Sequence, residues 1–482
     1  MLQKLEFKRE ANLIGGEWVA ADNGATIEVN DPATGEVIGT VPRCGRAETK
    51  RAIEAAARAF PDWSRRTGAE RAEALRRLVA LIEQNKEELA MLLTIEQGKP
   101  LSESRTEVAS SAAYVLWFAE EARRIYGDMI PSPWADRRIL VMKQPVGVVA
   151  AITPWNFPSS MIARKLGPAL ATGCTMVIKP ASQTPYSGLA WGVLCEKAGI
   201  PPGVVNIVTG SASEIGEELT SNPLVRKVTF TGSTEVGKRL VEQAARTMKR
   251  VSMELGGNAP FIVFDDADLD AAVAGAMPSK YRNAGQTCVC ANRFIVQAGI
   301  YDAFAEKLAE ASRKMKVSNG LEEGAVIGPL IDEKAVEKVE EHIADAVGKG
   351  ARVITGGKRH KLGGTFFEPT VITNVTPQMK VAREETFGPL APLFRFETEE
   401  EAIRMANATE YGLACYFYTR DLGRAFRVAE RLQYGQVGIN AGLITTEVAP
   451  FGGVKESGLG REGSKYGWDD YVDVKYVCVA GV

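Results

Sequence analysis

Histidine is almost absent from this chain of 482 residues, which contains only two. His342 lies in an amphipathic helical pattern and His360 lies in a polar run, and neither has a cysteine or carboxylate arrangement nearby in the sequence that suggests a relay or a zinc site. We therefore expect both histidines to be structural or solvated, and we expect no metal site. This scarcity argues against serine–histidine and cysteine–histidine mechanisms, so a general base would be a carboxylate or a lysine.

The chain also lacks an excess of charge and a long apolar run. It has 58 basic and 60 acidic residues, a net charge of −2, and no basic tract that would suit nucleic acid or an anionic membrane. The first ten residues contain no apolar core of a secretory signal, and no uncharged apolar stretch approaches the length of a membrane span. The seven cysteines are odd in number and mostly scattered, which is typical of a reducing compartment. These features predict a cytoplasmic protein without nucleic-acid or membrane partners.

Alternating strand and helix patterns predict an α/β fold. Residues 11–43 favour β-hairpins, and residues 47–126 are helical, with a helix expected over 70–90. A regular alternation follows, with strands at 146–153, 175–179, 204–209 and 227–231 and helices at 160–171, 187–197 and 214–219. Such spacing indicates a parallel sheet covered by helices.

A second alternation begins at Phe261 and predicts another α/β unit. Its expected helices lie near 269–282, 301–315 and 333–349. Residues 138–143 and 471–479 have strand patterns, and together they would form a β-arm too small to bury itself. We expect that arm to be an assembly element.

One segment, residues 227–238, passes from a strand through a glycine turn into a helix and nearly matches a P-loop. Gly232 and Gly237 bracket four residues before Lys238, but position 239 is Arg where Mg²⁺ coordination needs Ser or Thr. This argues against a nucleotide hydrolase. A dinucleotide pyrophosphate at the same helix N-terminus would need only backbone amides, the helix dipole and a close-approaching glycine.

Three other segments hold candidate reactive side chains. Cys288 lies in a loop with Gly and small polar residues, which would expose a thiol beside backbone amides. Glu254 precedes a glycine pair and could approach a ligand, although a surface turn is the alternative. Asn156 lies between two prolines at a strand–helix junction, where it is either a fixed hydrogen-bond donor or part of a simple turn.

Together these segments resemble the aldehyde dehydrogenase superfamily from about residue 10 to the end of the chain. The motifs that carry the resemblance are Thr153-Pro154-Trp155-Asn156, Lys179-Pro180-Ala181-Ser182, Phe230-Thr231-Gly232-Ser233, Glu254-Leu255-Gly256-Gly257, Gly285-Gln286-Thr287-Cys288 and Glu385-Thr386-Phe387-Gly388-Pro389. The resemblance implies a Rossmann-like cofactor-binding domain (1–122 and 143–253), a catalytic domain (254–456) and an oligomerisation arm with a C-terminal strand (123–142 and 457–482). It also implies a homotetramer built from dimers.

The resemblance implies a covalent mechanism. The Cys288 thiolate would attack the aldehyde carbon, with the Asn156 amide and the Cys288 backbone N–H stabilising the oxyanion. Glu254 would then activate water to hydrolyse the thioester that remains after hydride transfer. The implied cofactor-binding residues are Thr153, Trp155, Asn156, Lys179, Pro180, Ala181, Ser182, Gly232, Ser233, Leu255, Glu385 and Phe387.

Substrate choice is implied by the succinate-semialdehyde branch of the superfamily, which the chain resembles most, with the glutarate-semialdehyde enzymes beside it. Arg164 and Arg282 match the arginines that grip the distal carboxylate in that branch. Thr445 stands where closely related enzymes often have Ser, and its added methyl group puts the preferred chain length in doubt. One alternative is a dehydrogenase that acts on another small aldehyde. A second is a binding protein that keeps the dehydrogenase fold without its activity.

Two further positions are implied to tune the site. Ser182 stands where NAD-selective relatives tend to have Glu, and beside Lys179 it leaves room and positive charge for a 2′-phosphate. We therefore expect NADP to be preferred and NAD to compete. Cys290 either packs or forms a strained, labile disulfide with Cys288 as a redox switch.

Overall fold

The computed structural model describes residues 5–482 and arranges them around four sheets. The helices are α1 (Arg46–Arg65), α2 (Gly68–Gln84), α3 (Lys86–Gln97), α4 (Leu101–Glu121), α5 (Ser160–Thr172), α6 (Pro185–Lys197), α7 (Ala212–Ser221), α8 (Thr234–Ala245), α9 (Leu269–Tyr281), α10 (Tyr301–Arg313), α11 (Glu333–Gly348), α12 (Glu399–Asn407) and α13 (Leu422–Arg431). The strands are β1 (Asn12–Ile14), β2 (Glu17–Val19), β3 (Thr26–Asn30), β4 (Val37–Pro42), β5 (Asp128–Ile130), β6 (Arg137–Pro145), β7 (Val148–Ile152), β8 (Thr175–Lys179), β9 (Val205–Ile207), β10 (Val225–Thr231), β11 (Arg250–Glu254), β12 (Ala259–Val263), β13 (Ala291–Gln297), β14 (Arg352–Thr355), β15 (Thr370–Thr373), β16 (Leu390–Phe396), β17 (Ala414–Tyr418), β18 (Gln436–Ile439), β19 (Gly458–Leu459) and β20 (Val472–Ala480).

The first large sheet has the order β19-β11-β10-β7-β8-β9-β1-β2. Its inner strands, β11 to β9 in that order, are parallel, as the alternation predicts. Apolar residues such as Val149 and Ile178 are buried on these strands, since helices cover the sheet. The carboxyl ends of parallel strands meet at one edge, and that edge is where open α/β sheets bind ligands. Four of the motif segments lie there, at the carboxyl ends of β7, β8, β10 and β11.

The second large sheet has the order β14-β15-β16-β13-β12-β17-β18 and holds its own apolar core. Parallel pairing joins β12 to β13 and to β17. The loop between α9 and β13 carries Cys288 to the edge of this sheet, so the two sheets supply opposite walls of one cleft.

A three-stranded sheet, β20-β6-β5, forms the predicted β-arm. The expected pairing is present, with Val474 opposite Lys143 in an antiparallel register. The strands expose Met129, Met142, Val474 and Tyr476. The predicted domain boundaries stay a prediction, and β19, inside the segment assigned to the arm, pairs instead with β11 of the first large sheet.

Two helix predictions need correction. The helix expected over 70–90 is two helices, because the chain breaks at Asn85, whose side chain caps the carbonyl of Leu81 at 2.8 Å. The helix expected to include Arg282 ends at Tyr281, and Arg282 begins a 3₁₀ turn instead. Within residues 5–482, no helix combines the length and apolar character needed to cross a membrane.

Candidate active site

A cavity of about 580 Å³ lies in the cleft and brings together side chains from distant parts of the chain. Cys288 is on its wall, with Arg164, Arg282 and Thr445 around it. Most of the other lining groups are apolar, including Phe157 and Phe451. A mostly apolar cavity with a few convergent polar groups is the usual form of a small-molecule site.

The loop before Cys288 is backbone-strained. Asn283 and Ala284 have φ of 52° and 54°, the left-handed region that non-glycine residues seldom occupy. Gly285 follows at φ 77°, and a Cβ there would lie 2.1 Å from the carbonyl oxygen of Gly388. Glycine is therefore required where this loop meets the segment that carries Glu385, and such strain is typical of functional loops.

The thiol of Cys288 is strongly desolvated. Burial, together with the carboxylates of Glu385 and Glu254, raises its pKa to about 12, although Arg164 and Arg282 act in the opposite direction. In this state the thiol keeps its proton at neutral pH, so the attack on a carbonyl requires a base or a charge supplied on ligand binding.

Glu254 ends β11 and is buried, and neither of its carboxylate oxygens has a hydrogen-bond partner within residues 5–482. Burial raises its pKa well above the usual value, the nearby Glu462 raises it further, and Lys165 and Arg164 oppose them. The Nζ of Lys165 forms an ion pair with Glu462 and donates a hydrogen bond to Thr231 Oγ1 at 2.7 Å. A desolvated carboxylate with free acceptor positions is suited to holding and deprotonating water.

Asn156 is buried beside the Cys288 loop. Its Nδ2 donates one hydrogen bond to the carbonyl of Gln286 at 3.1 Å. Since a carboxamide has two N–H donors, the second remains for a ligand. The backbone carbonyl of Asn156 accepts from Asn283 Nδ2 at 3.0 Å, which connects the asparagine to the loop that carries Cys288.

The two predicted substrate arginines share the cavity. Arg164 is held between the rings of Tyr114 and Phe451, at 4.6 and 4.4 Å from the ring centres. Its Nη1 lies 3.7 Å from Glu462, and its Nε and Nη1 have no hydrogen-bond partner among the described residues. The Nε of Arg282 is likewise buried without a partner in that part of the chain.

The adenosine side of the predicted cofactor site contains a buried lysine. Lys179 ends β8, and the one acceptor of its Nζ in the described part of the chain is the carbonyl of Pro180, at 3.2 Å. Burial alone lowers the pKa of Lys179 to about 8. Ser182 is half-buried three residues later, after Ala181. A buried ammonium without an acidic neighbour suits an anionic or hydroxyl-rich ligand.

The middle of this site is a helix N-terminus. Ser233 caps α8 by accepting from the amide of Val236, and Gly232 donates its own amide to the Glu254 carbonyl at 3.0 Å. Leu255 packs so closely on Gly237 that a Cβ there would lie 2.3 Å from Cδ2. The orphan amides of such a helix start suit a phosphate group.

The nicotinamide end is formed by segments that join the two large sheets. Glu385 Oε1 accepts from the backbone N–H of Gly257 at 3.1 Å, and burial raises its pKa to about 7. Trp155 and Phe387 make an edge-to-face contact at 5.6 Å. Thr153, also predicted to bind the cofactor, has a buried hydroxyl oxygen without a partner among the described residues.

The expectation for His342 was incomplete. The side chain is buried, with Nδ1 2.8 Å from Thr386 Oγ1 and Nε2 3.2 Å from Glu384 Oε2. It is structural, as expected, but it has a carboxylate partner that is distant in sequence and it holds the loop of Glu385. Its position on the inward face of α11, between Val339 and Ile343, is the signal that could have indicated this.

Cys290 is a free, buried thiol in this structure. Lys280 Nζ donates to its Sγ at 3.2 Å, and Sγ itself is 3.4 Å from the Lys280 carbonyl. A redox-switch role with Cys288 stays a prediction.

Comparison with known proteins agrees with this geometry. The model of the aldehyde dehydrogenase family matches residues 18–477. The chain is 64% identical to a glutarate-semialdehyde dehydrogenase of Pseudomonas aeruginosa over 100% of both chains, and 62% identical to the succinate-semialdehyde dehydrogenase [NADP(+)] of Escherichia coli over 98% of each. The crystal structure of succinate-semialdehyde dehydrogenase from Burkholderia pseudomallei is 63% identical, with a TM-score of 0.98 and 98% of each chain covered. These matches confirm the α/β fold class and the resemblance: the chain belongs to the aldehyde dehydrogenase family.

Proposed function

We propose that this enzyme oxidises a short aldehyde with a distal carboxylate, succinic semialdehyde in the first place, using NADP or NAD as the hydride acceptor. The observation that carries the proposal is the pair of arginines, Arg164 and Arg282, with unpartnered buried N–H groups in the same cavity as Cys288. Relatives that act on succinate and glutarate semialdehydes support it.

The chemistry follows from the groups around Cys288. Once the thiol has released its proton to solvent water, Sγ attacks the aldehyde carbon, and the carbonyl oxygen becomes an oxyanion. The free N–H of Asn156 and the backbone N–H of Cys288 stabilise that charge, and one such donor contributes about 3 kcal/mol. A nicotinamide bound beside Cys288 would supply the hydride acceptor, and loss of hydride from the substrate carbon leaves a thioester on Sγ. Glu254 then takes a proton from water, whose oxygen attacks the thioester carbon and releases the acid and the thiolate.

A distal carboxylate on the substrate would account for the two buried arginines in the cavity. Buried guanidinium groups without acceptors are costly, and a carboxylate can accept two parallel hydrogen bonds from one guanidinium. The rings that hold Arg164 fix its plane, so little side-chain freedom is lost on binding.

Replacing either arginine by Met tests this substrate assignment. We expect Arg164→Met and Arg282→Met each to lower kcat/KM for succinic semialdehyde by about 30-fold or more, because a buried charge pair loses one partner. The loss for butanal, which has the same chain length without the carboxylate, should be small. The measurement is kcat/KM for both aldehydes with each variant.

The deciding quantity is the ratio of the kcat/KM values for the two aldehydes. If both variants keep the unmodified enzyme's ratio of kcat/KM for succinic semialdehyde to kcat/KM for butanal, the two arginines do not bind the distal carboxylate. No reduced nicotinamide from the unmodified enzyme with any aldehyde would contradict the dehydrogenase itself and favour a retired binding protein.

Glutaric semialdehyde is the second candidate, and the same series includes it. Thr445 lines the cavity and its methyl group occupies space that a serine would leave free. A higher kcat/KM for the five-carbon substrate than for the four-carbon one would move the assignment to the glutarate branch.

NADP is the cofactor that we propose to be preferred. The buried Lys179 ammonium has no acidic neighbour, and the small Ser182 leaves space beside it for a 2′-phosphate. The cited relative from Escherichia coli, which is named as an NADP(+) enzyme, supports this.

The variant Ser182→Glu should reverse that preference. A carboxylate there would repel the 2′-phosphate and accept from a free 2′-OH, so we expect kcat/KM for NADP to fall about 100-fold while that for NAD is kept or raised. Ser182→Gln is the uncharged control of equal size. Tryptophan fluorescence titrations with NADP and NAD give the same comparison without turnover, and equal losses for both cofactors in the Glu and Gln variants would contradict the assignment.

We further propose that the enzyme is a cytoplasmic homotetramer. The exposed apolar side chains of β5, β6 and β20 support assembly, because a three-stranded sheet cannot bury both of its own faces.

A further inference from the structure

Lys99 lies outside all the motifs, yet its side chain is fully buried against the backbone of Asn156. It occupies the connection between α3 and α4, fixed between Gly98, at φ 95°, and Pro100. Its Nζ donates to Glu107 Oε2 at 2.6 Å and to the backbone carbonyl oxygen of Asn156 at 2.7 Å. The lysine therefore holds the backbone of the residue whose side chain faces the reacting aldehyde.

Glu107 anchors the lysine from the other side. Its second oxygen, Oε1, accepts from the backbone N–H groups of Ser159 and Ser160 at 3.0 and 3.1 Å. These amides open α5, the helix that carries Arg164. One buried carboxylate thus connects the lysine to the segment between the asparagine and the substrate arginine.

The carbonyl oxygen of Asn156 is the junction of this network. It accepts from Lys99 on one side and from Asn283 Nδ2 on the other. Asn283 is held at a left-handed φ of 52° in the loop that carries Cys288, where its backbone N–H donates to Glu103 at 2.8 Å. Rotation of the Asn156 peptide would break contacts to both walls of the cleft at once.

Folding stability alone does not account for the buried ion pair of Lys99 and Glu107. Burial lowers the pKa of Lys99, and the nearby Glu107 carboxylate raises it by less. The net effect of the environment is therefore to disfavour the ammonium. Apolar residues of equal volume commonly give folded states that are as stable as a buried ion pair or more stable. A positional requirement is the remaining explanation, since an ammonium can hold a carbonyl oxygen and an apolar side chain cannot.

We propose that Lys99, anchored by Glu107, is a positioning residue for the oxyanion site, an inference that rests on the proposed function. It holds the Asn156 peptide so that the free carboxamide N–H points at the oxyanion that forms over Cys288. The lysine itself does not touch the substrate.

The double variant Lys99→Met/Glu107→Gln tests this, because it removes both charges and keeps an acceptor for the α5 amides. We expect kcat for aldehyde oxidation to fall about 100-fold, the usual consequence of a displacement near 1 Å, with KM for the aldehyde little changed. Alkylation of Cys288 by iodoacetamide passes through no oxyanion, so its rate should match that of the unmodified enzyme. A general loss of structure would expose the thiol and return its pKa towards the ordinary value, so it would change the alkylation rate as well as kcat.

Coupling to Asn156 makes the test specific. Asn156→Ala should cost about 10²–10³-fold in kcat. Adding the Lys99/Glu107 changes to that variant should cost little more, because the group that they position is already gone. Full additivity, or a double variant with unchanged kcat, would overturn the proposal.

Two controls complete the design. The pair Arg424 and Asp266, which are 2.8 Å apart and do not line the cavity, can be changed to Met and Asn to show what loss of a partly buried pair does by itself. If the Lys99/Glu107 double variant does not fold, Glu107→Gln alone decides: it should lower kcat by a smaller factor with unaltered alkylation, and unchanged kcat would reject the proposal. An inactive unmodified enzyme would instead reject the proposed function, so the two failures are distinguishable.

Discussion

Glu254→Gln is expected to release one equivalent of reduced nicotinamide per active site and then to turn over about 10²–10⁴-fold more slowly than the unmodified enzyme. Glutamine keeps the size of the side chain but cannot take a proton from water. The thioester on Cys288 would therefore accumulate. Stopped-flow absorbance of reduced nicotinamide measures the burst and the steady rate together.

The pH dependence gives this prediction a second readout. Because burial and Glu462 raise the pKa of Glu254, the fraction of ionised base increases as pH rises through that elevated value. Steady turnover of the unmodified enzyme should rise over the same range, and turnover of the glutamine variant should not. A variant that loses its burst as well would show that Glu254 is needed before hydride transfer.

A matched control is available for the carboxylate. Glu48 is also buried, but it accepts from the backbone N–H groups of Asp22 and of Gly45, the residue that caps α1, and it does not line the cavity. Glu48→Gln should keep the turnover of the unmodified enzyme, although it weakens a helix start.

Cys288→Ala is expected to remove both the burst and the steady rate, by at least about 10⁴-fold, because no other group can form the covalent intermediate. Cys290 is the only nearby thiol among residues 5–482 that could substitute, and its Sγ is engaged with Lys280. Cofactor binding, followed by tryptophan fluorescence, should be retained, which separates loss of chemistry from loss of fold.

The exposed thiol of Cys478 supplies the control for this substitution. It lies on β20, and Cys478→Ala should leave aldehyde oxidation unchanged. Appreciable turnover in Cys288→Ala that disappears on adding Cys290→Ala would contradict the assignment of the nucleophile.

Much of the fold is predictable because its strands are apolar and regularly spaced. The predicted strand 175–179 is β8 to the residue, since a short buried run bounded by Gly173 and Pro180 can hardly form anything else. The helix over 70–90 was predicted as one because its apolar spacing continues across Asn85. Periodicity reports which face is buried and does not report a side chain that caps its own helix.

The roles that we propose for Cys288, Glu254 and Asn156 come from the amino-acid sequence, because these residues lie in motifs whose order and spacing resemble one family. Only the tertiary structure decided what surrounds them. Lys165 meets Glu462 across 297 positions and Lys99 meets Asn156 across 57, and no local pattern encodes such contacts. The raised pKa values of Cys288 and Glu254 likewise come from desolvation, which exists only when distant segments close over these groups and exclude water.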